Sequence, residues 1–137
     1  MKYNSLLTSL IDGVLTITMN RPDVFNACNE ELTLELQSAF GDADSDQSVR
    51  TVVLTGAGKA FCSGQDLKDA PTGGGKRSLQ DSLERRYNPI IRAIRDLPKP
   101  VIAGINGVAA GAGLSLALAC DMRIMSASAR LVEAFIG

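Results

Sequence analysis

Over Gly13–Met19 the apolar and polar positions alternate with a period of two. Leu15, Ile17 and Met19 share one face and Val14, Thr16 and Thr18 the other, which predicts a half-buried strand. Asn20-Arg21-Pro22 breaks it. From Asn29 the period becomes helical. Asn29 stands at the N-cap, Glu30 and Glu31 occupy the positive first turn, and Leu32, Leu36, Ala39 and Phe40 mark one face. This helix is expected to end near Gly41, before the polar run 42–48. Thr51–Thr55 predicts a short β-branched strand, Gly56–Phe61 a loop, Leu67–Pro71 a brief helical turn and Pro71–Arg77 a flexible loop. Leu79, Leu83, Tyr87, Ile90, Ile91 and Ile94 mark a second amphipathic helix, with Pro89 expected to kink it. Val101–Ile105 reads as a buried strand, and Gly111–Cys120 as a helix apolar on every side and therefore buried. Arg123–Met125 and Leu131–Val132 predict two more short strands. Strands alternating with helices define an α/β chain.

The chain has 137 residues, the size of one domain, and no linker divides it. No uncharged apolar run reaches the ~18 residues of a membrane span, and the N-terminus is too polar for a secretory signal. The net charge of −1 gives no reason to expect nucleic acid as a partner. Cys28, Cys62 and Cys120 are odd in number and lack metal or redox spacing, which suits reduced thiols in the cytoplasm. There is no histidine, so Ser-His-Asp chemistry, Cys-His chemistry and histidine metal sites are excluded. The apolar stretch 129–137 stops without a cap, and the fold is expected to continue beyond it.

Two glycine-bearing turns carry the candidate chemistry. Each follows a β-rich run and reads as strand, tight turn and helix start: Thr51–Lys68, with Gly56, Gly58 and Gly64, and Pro100–Asp121, with Gly104, Gly107, Gly111 and Gly113. Such turns leave backbone N–H groups free, and a helix start adds partial positive charge. Two of them aimed at one point make a hole for an oxyanion. Competing readings are weaker. Gly56-Ala-Gly-Lys59 fails the phosphate-loop template, and Gly107–Gly113 is not a dinucleotide fingerprint. Cys62, with no histidine to activate it, reads as packing, Asp66 and Asp121 as caps or ion pairs, and Ser115 as a core hydroxyl.

Five ordered blocks then resemble the crotonase, or enoyl-CoA hydratase/isomerase, superfamily: Thr18–Ala27, Val52–Gly56, Lys59–Lys68, Lys99–Gly107 and Gly111–Asp121. The resemblance implies a spiral of ββα units, with residues 1–137 the N-terminal part of one domain that is cut before its C-terminal helical region. It implies a homotrimer or hexamer, an acyl-CoA thioester as substrate, and no cofactor beyond the coenzyme A of that substrate. By position, the backbone N–H groups of Gln65 and Ala112 correspond to the family's oxyanion hole. Arg21, Val24, Phe25, Ala27, Ala60, Gly64, Gln65, Asp66, Leu67, Lys68 and Gly111 correspond to its substrate- and CoA-contacting positions, with Arg21, Lys59 or Lys68 available to the CoA phosphates.

The two glutamates of the family's hydratases would fall at Ser115 and Phe135, so isomerisation is favoured over hydration. Gln65-Asp66-Leu67 and the stretch 132–137 look like the phenylacetate-pathway ring-epoxide isomerase branch, whose catalytic carboxylate would fall past Gly137, with Glu133 a lesser candidate. Degradation of phenylacetate or fatty acids is the implied setting. The alternative is an acyl-CoA-binding protein without turnover.

Overall fold

The computed structural model describes residues 3–66 and 87–133. In chain order it runs β1 (Leu6–Ile11), β2 (Val14–Met19), a 3-10 turn (Pro22–Val24), α1 (Glu30–Ser45), β3 (Thr51–Gly56) and β4 (Ala60–Cys62). There follow α2, described over residues 87–96, then β5 (Val101–Ile105), β6 (Val108–Ala110), α3 (Ala112–Ala119), β7 (Met122–Met125) and β8 (Leu131–Val132). The helical turn expected at Leu67–Pro71, the loop Pro71–Arg77 and the upstream residues of the second amphipathic helix lie outside the described residues.

A five-stranded sheet has the order β1-β2-β3-β5-β7, and a three-stranded sheet the order β4-β6-β8. β1 and β2 form an antiparallel hairpin through Asp12-Gly13, both at positive φ, the backbone a tight hairpin turn requires. All other strand pairings are parallel. The pairs β3/β4, β5/β6 and β7/β8 repeat one move, in which the first strand enters the large sheet and the second the small one. The chain is therefore an α/β spiral of strand–strand–helix turns. β3 and β5 bury alternate side chains, and Val52, Leu54, Val101 and Ala103 meet Leu36 and Phe40 of α1 and Ile90 and Ile94 of α2 in one core.

The structure departs from the pattern reading in four places. β1 was not anticipated: after Leu6 its residues are all exposed, so they show no buried face to signal a strand. α1 passes Gly41 and ends at Ser45. Nothing lies within 4 Å of where a Gly41 Cβ would sit, so the glycine faces open space and costs the helix only ~1 kcal/mol. Burial of Ala43, and the Lys99 ammonium donating to the carbonyls of Ala43 (2.6 Å) and Asp46 (2.8 Å), offset that cost. The strands β4 and β6 occupy stretches read as loop and turn, because three residues are too few to show a period. Finally, α3 is not buried all round: Leu118 is 54% exposed and Ser115 faces out, so Ser115 is not a core hydroxyl.

Candidate active site

Both small strands that follow a glycine turn end on a peptide unit whose carbonyl is already engaged. Gly64 adopts φ +112°, and its carbonyl accepts from the Cys28 N–H at 2.7 Å. The Asp66 N–H returns to the Cys28 carbonyl at 2.9 Å, so Gln65 forms an isolated parallel bridge with Cys28. A trans peptide points its N–H opposite to its C=O. The Gln65 N–H, in the same unit as the Gly64 carbonyl, is thus turned away from Cys28. The Gly111 carbonyl accepts the first α3 bond, from the Ser115 N–H at 3.1 Å, which leaves the Ala112 N–H facing out of the helix start. Among the described residues neither the Gln65 nor the Ala112 backbone N–H has a hydrogen-bond partner.

Glycine brings the two together. A Cβ on Gly64 would lie 3.1 Å from the Ala110 carbonyl oxygen and 3.7 Å from the Ala112 nitrogen. A Cβ on Gly113 would lie 2.1 Å from the Cys62 carbonyl oxygen, closer than any side chain permits. The end of β4 therefore rests on the first turn of α3. β8 closes the other side, its Val132 carbonyl accepting from the Gly111 N–H at 3.2 Å.

Two asparagines fasten the loop that leads into β4. Asn26, fully buried, donates to the carbonyls of Ala57 and Ala60 (both 2.9 Å) and accepts from the Arg21 N–H (2.8 Å). Asn106 donates to Gly58 and Ala60 (both 3.1 Å) and accepts from the Gly56 N–H (3.2 Å). Sequence reasoning passed over both; the signals available were an Asn-Ala pair after a broken strand and an Asn-Gly pair after Ile105.

The other expected positions are spread around this frame. The Arg21 guanidinium donates to the Ala27 carbonyl and forms an ion pair with Asp66 at 3.1 Å, so it already serves the loop. Val24 and Phe25 are exposed (37% and 54%), Ala27 and Ala60 are buried, and Lys59 is exposed. Gly64 and Gly111 are buried beneath the two donors. Leu67, Lys68 and Phe135 lie outside the described residues, and Glu133 is exposed just past β8. The Asp121 carboxylate accepts from the Val101 N–H at 2.8 Å, a structural tie.

Tyr87, which the sequence offered only as a helix-face residue, reaches this site. Its hydroxyl donates to the Gln65 side-chain carbonyl at 2.5 Å, and the Gln65 amide donates to the Asp66 carbonyl at 3.3 Å. Beneath lie Cys28 and Cys62, buried with sulfurs 3.5 Å apart. The hydrogen bond with Cys62, and then burial, push the Cys28 thiol well up. Burial, aided by the Asp121 charge, pushes Cys120 up to about 12. Cys28 and Cys120, held as neutral buried thiols, pack and do not attack, whereas the bond with Cys28 draws the Cys62 thiol below its ordinary value.

The chain belongs to the enoyl-CoA hydratase/isomerase family, whose model matches residues 10–137. It is 46% identical over 133 residues to the 1,2-epoxyphenylacetyl-CoA isomerase of Escherichia coli, covering 95% of this chain and 50% of that one. It is 44% identical over 139 residues to a probable enoyl-CoA hydratase of Rhodobacter capsulatus, covering 98% and 51%. Among solved structures, an enoyl-CoA hydratase of Mycobacterium smegmatis superposes with a TM-score of 0.86 at 41% identity, over 93% of this chain and 50% of that one. The chain spans about half the length of the curated relatives it matches. Among the described residues, no helix is long and apolar enough to cross a membrane.

Proposed function

We propose that the native gene product containing this chain acts on acyl-CoA thioesters and that it isomerises them. In this reading the Gln65 and Ala112 N–H groups bind the thioester oxygen and stabilise the enolate formed when a proton leaves the α-carbon. A carboxylate takes up that proton and returns it to another carbon. The observation that carries the reading is the juxtaposition of two backbone donors that have no partner among the described residues. Isomerisation is preferred because Ser115 stands where the resemblance puts a hydratase glutamate, and one similar relative is named an epoxide isomerase. Degradation of phenylacetate or fatty acids in the cytoplasm, by a trimer or hexamer, is the accompanying proposal.

The alternative, binding without turnover, is favoured by the same missing glutamates. Turnover of 3-enoyl-CoA, 2-enoyl-CoA and an aryl-epoxide thioester separates the readings. Isomerisation without hydration is expected; brisk hydration alone refutes the preference, and tight binding with no turnover favours the alternative. Ala112→Pro tests the hole itself. Proline is tolerated at the first position of a helix, so the helix should survive while the donor is replaced by a ring methylene pointing into the hole. The expected loss is ~2.7–4 kcal/mol of transition-state stabilisation, about 100-fold or more in kcat. A folded variant with an unchanged rate removes Ala112 from the mechanism.

A further inference from the structure

We propose that Tyr87 is a positioning residue for the Gln65 donor: its hydroxyl ties the Gln65 side chain to the core and so holds the Gln65 N–H at the angle the substrate oxygen needs. The inference rests on the oxyanion reading above and deepens it.

Gln65 needs such a tie. Its backbone meets the rest of the protein at one isolated bridge, with Cys28 on both hydrogen bonds and no ladder on either side. A single bridge can swing about its axis, and the N–H would swing with it. The side chain supplies the missing constraint. Tyr87 is 9% exposed and its hydroxyl stands 2.5 Å from the Gln65 Oε1, at the short end for an O–H···O bond. The phenol is itself fixed, because Ile90 and Ile94 on the same helix are fully buried in the core. A second bond, from the Gln65 amide to the Asp66 carbonyl, orients the amide so that its oxygen faces Tyr87. The peptide units on either side of Gln65 are thus tied to Cys28, through the Gly64 carbonyl and the Asp66 N–H, and its side chain is tied to α2 through Tyr87.

A donor fixed before the reaction stabilises developing charge without reorganising, whereas a swinging donor loses part of that gain. The charge on the thioester oxygen grows towards the enolate, so the loss falls mainly on kcat. The Ala112 donor has no such dependence, because the helix start orients it.

The test uses the native gene product with cinnamoyl-CoA as probe. Polarisation of its carbonyl by a pair of donors moves the absorption band to longer wavelength. We expect a clear shift for the wild type and a smaller one for Tyr87→Phe. On a substrate that is turned over, kcat should fall roughly three- to tenfold, the range one neutral hydrogen bond spans, with KM nearly unchanged. Gln65→Leu keeps the backbone donor, removes the acceptor and should reproduce the same losses, which also serves if Tyr87→Phe folds poorly. In the Gln65→Leu background, Tyr87→Phe should add nothing. Additive effects, or an undiminished shift in both single variants, overturn the assignment. Absence of any shift in the wild type, with Ala112→Pro equally silent, overturns the oxyanion reading beneath it.

Discussion

The two donors lie side by side, yet they are secured by different means. The Gln65 turn is fastened by side chains: Asn26 and Asn106 on the loop before β4, the Arg21–Asp66 pair beside it, and Tyr87 on the glutamine itself. Among the described residues the Ala112 turn has no comparable set. It is secured by the start of a helix, by β8 on Gly111, and by the contact of Gly113 with the Cys62 carbonyl that only a missing side chain allows. Hydrogen bonds can be removed one at a time, each at a modest cost, whereas a steric fit fails at once. Apart from Gly56, whose added Cβ would meet the Ala60 and Phe61 carbonyl oxygens at 2.4 Å, the first turn should therefore weaken by degrees and the second abruptly.

Gly113→Ala is the severest test of that contrast. The added methyl would stand 2.1 Å from the Cys62 carbonyl oxygen and 2.8 Å from its carbon, so backbone must move against backbone. The expected loss is about 3 kcal/mol or more, read as the midpoint of denaturant unfolding. A loss below about 1 kcal/mol would mean that β4 and α3 can part cheaply, and the distinction between the turns would collapse.

On the other side of the comparison, Asn26→Ala should cost about 2–3 kcal/mol, because it leaves the buried partners of a fully buried amide without their bonds. Asn106→Ala should cost about 1–2 kcal/mol, since its amide is only half-buried and water can replace part of what is lost. The Ala60 carbonyl accepts from both asparagines. After either single change it keeps one donor, so the double variant should lose more than the sum of the singles. Strict additivity would show that the two asparagines do not share that load.

The same contrast explains what could be read from the residues alone. The period-two run at Gly13–Met19 and the helical spacing from Leu32 to Phe40 reflect one-sided burial, and the structure buries Ile17, Met19, Leu32 and Leu36 accordingly. Asn29 was legible as an N-cap because capping is local, and its side chain accepts from the Leu32 N–H at 2.9 Å. The strands β4 and β6 were hidden because three residues carry no period, and β1 because an exposed edge has no buried face. The two turns were legible in the glycine spacing, and residues 65 and 112 within them through family resemblance. Tyr87 was legible only as an apolar-face position: that its hydroxyl meets Gln65, 22 positions earlier, is a fact of tertiary packing.

The mildest substitution asks whether the second turn uses any side chain at all. The Ser115 hydroxyl lies 3.5 Å from the Gly111 carbonyl oxygen, too far for more than a marginal bond, and the residue is exposed. That carbonyl belongs to the peptide unit that aims the Ala112 N–H, and it already accepts the Ser115 backbone N–H at 3.1 Å. If helix geometry alone sets the donor, Ser115→Ala leaves its aim intact. Alanine is also the better helix former, so unfolding free energy should stay level or rise by up to ~0.5 kcal/mol. The cinnamoyl-CoA band should shift as in the wild type. A smaller shift, or a loss of stability beyond about 1 kcal/mol, would show that the hydroxyl steadies the Gly111 carbonyl, and the two turns would then differ in degree and not in kind.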